Sequence, residues 1–388
     1  MLAYIAWDAN PEIFSLGPLT IRWYGLLFAL GFLLGQQVLI RLYKAEGKPE
    51  SDVEVLTVYM VVSTIIGARL GHMLFYQPEV FWQDPVEILY IWKGGLASHG
   101  AGIAIFIALY IYVNYGVAFF DKGKFLRIWK RLKPGQTYLW ITDRMVITVA
   151  LAGCCIRFGN LMNSEIIGKP SDAPWAFVFA FPESSKPLVL RQNQQIISNI
   201  QVSTIGSDTL IDRIPRVKVS IETTFLASQT NETIAQEFVE TALPDTLRRY
   251  SRVQGNSSVE LLTIPHPSAV KKEGGVLKVS IEGYGKTRHP AQLYESISCF
   301  ILFFFLYWYW SRRKAQTPEG SLTGLFMMVI FTLRFFYEFL KEPQVDFENS
   351  LIADIGLNVG QLLSIPAVAF GIFLWLYSRR GTKASVKA

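Results

Sequence analysis

Charge and cysteine are both scarce in this 388-residue chain. Only 18% of residues are charged while 51% are apolar, a balance that excludes an ordinary soluble enzyme. The three cysteines form no framework: Cys154 and Cys155 are adjacent and Cys299 lies in another apolar run, so free, buried thiols are expected. Four histidines are present, with no His-Glu-x-x-His and no Ser/His/Asp spacing, so a hydrolytic protease is not supported. The first 16 residues lack a basic n-region and a cleavage site, and no removable signal peptide is expected. Gly285-Lys286-Thr287 imitates the end of a phosphate-binding loop, but Ser280 holds the required first glycine position and no helix follows at once, which rejects a nucleotide site. Nothing in the chain points to nucleic acid.

What is present is membrane. Apolar runs of about 20 residues can cross a bilayer, and seven stand out: residues 23–42, 53–75, 96–117, 138–156, 293–310, 322–340 and 355–377. Lysine and arginine in the connections set the orientation. The first connection carries Lys44 and Lys48. The third carries Lys122, Lys124, Arg127, Lys130, Arg131 and Lys133, the fifth Arg312, Arg313 and Lys314, and the tail Arg379, Arg380, Lys383 and Lys387. The alternate connections are poor in base: Lys93 is alone in the second, and in the sixth Lys341 is followed by Glu342, Asp346, Glu348 and Asp354. The expected topology has the N-terminus outside and the C-terminus in the cytoplasm. Gly25, Gly31, Gly35, Gly67, Ala68 and Gly71 inside the first two spans suit close helix packing.

The fourth connection reads as a small α/β unit. Residues 195–203 and 216–223 alternate as strands do, 231–250 is helical with Thr230 or Asn231 as its cap, and 258–264 and 275–282 return to strand. With no cysteine and one histidine, His266, it does not suit a metal. The expected fold is therefore an all-α polytopic membrane protein of seven transmembrane helices with an inserted extracytoplasmic α/β unit. Residues 1–182 and 287–388 form the membrane domain and 183–286 the insertion.

Polar residues in the apolar spans carry the functional signal, because an ionisable group at the bilayer centre costs about 2.5–3.5 kcal/mol on insertion scales and usually faces a polar interior. In the expected topology Tyr24, Arg69, His72, His99, Arg157, Asn160, His289, Gln292, Tyr294, Glu295, Arg334 and Glu338 all fall at the outer ends of the first six spans. Arg69 with His72, and Arg334 with Glu338, are three and four residues apart and share helix faces. A channel would carry polar groups through its whole depth. Asp143 and Arg144, at the inner end of the fourth span, are expected to form an anchor or a pair. Arginine forks suit phosphate and histidine can take or give a proton near neutrality, so an anionic phospholipid is the expected ligand.

The motifs resemble the bacterial phosphatidylglycerol–prolipoprotein diacylglyceryl transferase family. The matching pieces are Trp23-Tyr24-Gly25-Leu26, Gly67-Ala68-Arg69-Leu70-Gly71, the 94–100 stretch with His99, Arg157-Phe158-Gly159-Asn160 through Glu165 and Gly168, the 289–295 stretch, and Arg334 with Glu338. The resemblance implies transfer of the diacylglyceryl group of phosphatidylglycerol to the thiol of a lipobox cysteine in a prolipoprotein signal peptide, in the bacterial cytoplasmic (inner) membrane. It implies no metal or organic cofactor.

Expected catalytic residues are His99, Arg157 and Arg334: the arginines on the phosphate, His99 as the base for the thiol. Tyr24, Asn160, Asn163, Glu165, Gly168, His289 and Glu338 are the expected substrate-binding residues. Competing roles stay open: His99 as a donor that locks a loop, His289 as a helix-start residue, Arg334–Glu338 as a structural ion pair. Two departures from the family stand out: Ile330 holds the position of a tyrosine that the family often has one turn before the sixth-span arginine, and the fourth connection is longer than in short members. A lipid transporter, or a membrane-anchored module working through the outer unit, are the alternative functions.

Overall fold

The computed structural model describes residues 4–16, 19–90, 97–121, 124–130, 133–250, 252–253, 256–257, 259–260, 269–342 and 355–385. Several sequence expectations fall outside them: the 94–96 part of the glycine-rich stretch, Lys93, Lys122, Arg131, His266, residues 261–264, Asp346, Glu348 and Asp354. Seven helices of note occur in chain order: α1 (Trp23–Ala45), α2 (Ser51–Tyr76), α3 (Ser98–Asn114), α4 (Tyr138–Met162), α5 (Ala291–Ser311), α6 (Ser321–Tyr337) and α7 (Val359–Ser385). Six are long and apolar enough to cross a membrane, and the protein is a polytopic membrane protein of mostly helical build. The exception is α3. Its expected span ran to residue 117, but the helix stops at Asn114 and a strand, Tyr115–Asp121, takes over. The chain divides into two compact units, one of residues 32–152, 301–330 and 367–388, the other of 1–31, 153–300 and 331–366.

In the first of these units the core is aliphatic, with Leu42, Leu56, Ile141, Ile147, Leu306 and Leu322 fully buried. Helix α1 ends where Gly47 takes a left-handed φ of +67°; the Lys48 amide then donates to the Tyr43 carbonyl at 2.8 Å and the Gly47 amide to Lys44 at 3.2 Å. That pair of bonds satisfies carbonyls the helix would otherwise orphan. Helices α2 and α3 meet backbone to backbone: a Cβ at Gly71 would lie 2.6 Å from the Cα of Gly100, and one at Gly67 2.6 Å from its carbonyl oxygen. The glycine spacing in α2 is thus a packing device. Gly324 of α6 and Gly371 of α7 approach in the same way, each with the other's carbonyl oxygen 2.8–2.9 Å from where its own Cβ would be.

Asp143 and Arg144 are both fully buried in this unit and serve different partners. The Asp143 carboxylate accepts from the Gly320 and Thr323 amides at 2.8 Å and the Thr323 hydroxyl at 2.7 Å, capping the orphan donors at the start of α6. Arg144 makes a forked pair with Glu46, with three N···O distances of 2.9–3.1 Å. Glu46 also accepts the indole N–H groups of Trp140 (2.9 Å) and Trp310 (2.6 Å). The expected anchor is there, but the close partners are Gly320, Thr323 and Glu46; Asp143 and Arg144 stand 4.0 Å apart.

The other unit holds a sheet and the site. Strands Ile197–Ile211, Ile214–Phe225 and Val276–Lys286 are antiparallel neighbours, with Val259–Glu260 and Ala269–Glu273 along the far side of the last. Alternation puts Val217, Val219, Ile221, Leu277, Val279 and Ile281 on one buried face, where Ala235, Phe238, Val239, Leu243 and Leu247 of the helical stretch 232–250 cover it. Asn231 is the cap: its side chain accepts from the Thr233 and Ile234 amides at 3.0 and 3.3 Å. Gly285 sits in the last strand, where a Cβ would press into the Val178 side chain. That close approach is the reason for the glycine in the false phosphate-loop motif.

Candidate active site

The site residues of the second unit gather around the C-terminal end of α4. The helix ends at Met162 because the chain turns left-handed at Ser164 (φ 52°) and again at Ile166 (φ 55°). Positive φ is costly for a non-glycine residue, most of all a β-branched one. A second strained pair, Glu183 (φ 54°) and Ser184 (φ 59°), clasps this turn: the Glu183 amide donates to the Ser164 carbonyl at 3.0 Å and the Ser184 amide to that of Asn163 at 2.8 Å. Four of the seven positive-φ non-glycine residues among those described belong to this one feature, and such strain collects where geometry serves a function.

Within the turn Glu165 is aimed by two asparagines. Asn163 Nδ2 donates to its Oε1 at 2.9 Å and Asn160 Nδ2 to its Oε2 at 3.2 Å. The Gln292 side chain of α5 donates to the Glu165 backbone carbonyl. Gly168 follows as a crossing point: its amide donates to the His289 carbonyl at 3.1 Å, and a Cβ there would lie 2.6 Å from that of His289 and 2.9 Å from the Leu340 carbonyl. No other residue fits without parting these strands of chain. Tyr24 packs on Gly159, where a Cβ would meet its ring at 2.9 Å, and it lies in the electrostatic reach of both Glu165 and Arg157.

The charged groups form a ladder across three segments. Arg157 Nε stands 2.5 Å from Glu295 Oε2. The other oxygen of Glu295 pairs with Lys341, whose Nζ also reaches Glu338 Oε1 at 3.1 Å. Glu338 then accepts from Asn358 Nδ2 at 3.0 Å and faces Arg334 Nε at 3.7 Å. Lys341 is buried, whereas Arg157 and Arg334 keep 28% and 45% of their side-chain surface open. The expected Arg334–Glu338 pair is therefore loose, beyond hydrogen-bonding distance. Asn358 is held in turn by a reciprocal cap with Gln361, each amide donating to the other's side-chain oxygen at 2.9 Å, the arrangement that starts α7.

His289 precedes α5. Its Nδ1 is 3.3 Å from the Tyr294 hydroxyl, which also accepts from Trp175 Nε1 at 2.7 Å. Burial lowers the imidazole pKa below the ordinary 6.5, with nearby Asp172 opposing the shift, so the ring is neutral at neutral pH. Tyr337 rests beside Tyr294, ring centroids 6.4 Å apart, and its hydroxyl meets Ser298 at 2.5 Å.

Among the expected site residues, Tyr24, Arg157, Asn160, Asn163, Glu165, Gly168, His289, Arg334 and Glu338 all belong to this unit. His99 belongs to the other, exposed at the start of α3 with its ring edge-on to Phe75 at 4.9 Å. So does Arg69, which is buried and donates to the Glu87 and Ile88 carbonyls at 2.6 and 3.1 Å, holding the short segment after α2. From sequence, Lys341 counts only as a loop charge, Glu295 stands among the polar residues at the outer span ends without a role of its own, and Asn358 is not singled out. The available signal for Lys341 was its spacing: it lies three residues after Glu338, on the same face.

These features define a polytopic membrane protein with an arginine- and glutamate-rich polar site at the ends of its helices. The chain belongs to the prolipoprotein diacylglyceryl transferase family, whose model matches residues 11–377. Phosphatidylglycerol–prolipoprotein diacylglyceryl transferases similar to it include that of Chloroherpeton thalassium, 33% identical over 96% of this chain and 93% of the relative. That of Tolumonas auensis is 31% identical over 96% and 97%, and that of Bacteroides fragilis 30% identical over 100% and 99%. Coverage this complete takes in the long fourth connection, so these relatives carry a counterpart of it.

Proposed function

We propose that this protein transfers the sn-1,2-diacylglyceryl group of phosphatidylglycerol to the lipobox cysteine of prolipoproteins, forming a thioether and releasing glycerol phosphate. Family membership supports the reading, and the charge ladder is the observation that carries it. Among the described residues its members are Arg157, Glu295, Lys341, Glu338 and Arg334, three cations and two anions, so the ladder itself has one positive charge in surplus. A phosphodiester headgroup carries one negative charge. The ion pair of Arg157 uses Nε, so both terminal nitrogens of its fork remain for phosphate oxygens, and Arg334 is held only loosely.

In the proposed reaction the substrate thiol, whose intrinsic pKa is about 8.5, gives its proton to a general base, the role for which His99 is the candidate from sequence. The thiolate sulfur bonds to the glycerol carbon that bears the phosphate. The C–O bond breaks, and its electron pair leaves with glycerol phosphate, whose growing charge Arg157 and Arg334 neutralise as it forms. Glu295 and Glu338 hold the arginines, and Lys341 bridges the two carboxylates. Glu165, with Asn160 and Asn163, receives hydroxyls of the glycerol headgroup beside Tyr24. Gly168 and His289 shape the wall behind them.

In this proposal α3 completes seven spans in the cytoplasmic membrane, the N-terminus lies outside and the C-terminus in the cytoplasm, and residues 183–286 form an extracytoplasmic insertion between membrane parts 1–182 and 287–388. The test is direct. Purified, folded protein given phosphatidylglycerol and a lipobox peptide should convert the cysteine to a diacylglyceryl thioether; failure to alkylate it overturns the reading.

A further inference from the structure

The connection after α3 takes no part in the site, yet it is the most unusual surface in its unit. Tyr115–Asp121 pairs with Lys124–Lys130 and with no other strand among the described residues. A two-stranded hairpin alone is marginal in water. This one is exposed and apolar as well: Phe125, Ile128 and Leu126 show 68%, 59% and 44% of their surface. Its contacts include a Trp129 ring laid on Gly116, the Arg127 guanidinium 4.9 Å from the centre of that ring, and Tyr115 beside Tyr110 of α3 at 6.3 Å.

Charge and length identify what covers it. The sequence around the hairpin carries Lys122, Lys124, Arg127, Lys130 and Arg131 against Asp121 alone; Lys133, the next base, is already committed to Asp52 at 2.5 Å. Each lysine or arginine at an anionic bilayer surface strengthens attachment about fivefold. Helix α3 has 17 residues, or about 25 Å at 1.5 Å per residue, short of the roughly 30 Å hydrocarbon core. In the seven-span arrangement proposed above, on which this inference rests, the strand that begins at Tyr115 starts at the boundary between acyl chains and headgroups rather than out in water.

We propose that the hairpin formed by Tyr115–Asp121 and Lys124–Lys130 docks on the surface of an anionic bilayer, its apolar side chains entering the headgroup–acyl boundary and the bases of its second strand binding lipid phosphates. The recognition is of surface charge and not of one headgroup. The docked hairpin extends the short α3 to the full thickness of the membrane.

A nitroxide attached at Leu126→Cys or at Ile128→Cys, two exposed positions on one face of the strand, in full-length protein whose three native cysteines are replaced and whose activity is retained, reads the docking by collision with oxygen and with a water-soluble nickel chelate. In vesicles of phosphatidylcholine mixed with phosphatidylglycerol, or with phosphatidylserine, the label should be open to oxygen and closed to nickel. In pure phosphatidylcholine, or in the Lys124→Gln/Arg127→Gln/Lys130→Gln variant, nickel access should rise about fivefold or more. Because the same labelled protein is compared between lipids, loss of fold does not imitate the result. Nickel access in the anionic vesicles overturns the proposal. So does equal protection in neutral and anionic lipid, protection by phosphatidylglycerol alone, or shielding from both reagents, which would mean a second copy of the chain covers the hairpin.

Discussion

Arg157→Lys is the perturbation that most sharply tests the proposed phosphate clamp. In the structure the guanidinium spends Nε on Glu295 at 2.5 Å and keeps 28% of the side chain open, so one side chain can serve the carboxylate and a phosphate together. A lysine ammonium keeps the charge but has one nitrogen to place. It stays with Glu295, and the phosphate loses its two donors, or it moves to the phosphate and leaves Glu295 to Lys341 alone. Either way one to two charge-assisted hydrogen bonds of about 1.5–3 kcal/mol each are lost. Allowing for water filling part of the gap, the net is about 1–5 kcal/mol, or about fivefold to several thousandfold in rate. The loss should fall mainly on kcat, because the bonds strengthen as charge develops on the leaving phosphate. The assay is transfer of labelled diacylglyceryl from phosphatidylglycerol to a lipobox peptide across a range of lipid concentrations, with thermal unfolding of the same preparation as control. With no lipid bound the lysine stays with Glu295, so the midpoint of the lipid-free protein should hardly move. A folded Arg157→Lys enzyme within about threefold of the parent kcat/KM would show that the fork is irrelevant and would remove Arg157 from the clamp.

Further expectations follow from other parts of the structure. Glu46→Gln should cost about 3–5 kcal/mol, since it strands a fully buried Arg144 without its charge partner; a thermal midpoint equal to the parent's would mean that the pair is dispensable. Gly71→Leu should block assembly, because its side chain would run into the Gly100 backbone, and recovery of normal amounts of folded protein would contradict the close α2–α3 contact. Asn231→Ala removes a helix cap and should lower stability by about 1 kcal/mol without lowering the rate of transfer. His289 has a folded pKa below 6.5, so its stability contribution is complete above about 6.5 and is lost as pH falls through the folded value. His289→Gln should flatten that acid-side loss in a pH series of unfolding midpoints, and an unchanged slope would place the titration elsewhere.

The membrane helices and most of the site residues were legible because both rest on local pattern. Apolar runs gave α1, α2, α4, α5, α6 and α7, and the polar residues interrupting them pointed to Arg157, Glu165, His289 and Arg334. Three features escaped for physical reasons. The end of α3 was misplaced because Tyr115–Val117 is as apolar as the helix before it; composition does not separate a strand from a helix over so short a run. The role of Lys341 lay in two carboxylates, one nearby and one on α5, and a long-range partner leaves no mark on periodicity. Asp143 and Arg144 look like a pair because they are adjacent, yet neighbours on a helix point apart, and each found its partner on another element.

The two buried charge clusters differ in a way that separates structure from function. Around Glu46 the account closes: a forked arginine and two indole N–H groups fill the carboxylate, and nothing remains to bind a ligand. Asp143 closes too, on the amides of Gly320 and Thr323 and the Thr323 hydroxyl. The ladder from Arg157 to Arg334 does not close. It ends at both sides in a partly open arginine and, counted over its own described residues, carries three cations to two carboxylates. Desolvating an unbalanced charge is unfavourable, so a fold has no stability reason to keep it, and the strained turn at Ser164 and Ile166 beside it is a second cost at the same place. Two costs borne together are what an anion-binding site requires: the empty site is destabilised so that the bound phosphate, and still more the departing one, supplies the missing charge. Removing a cation from the ladder, as in Arg334→Gln at its loosely held end, should on this reasoning raise the thermal midpoint or leave it unchanged while reducing transfer. A variant that loses stability but keeps its rate would mean that the surplus charge serves the fold.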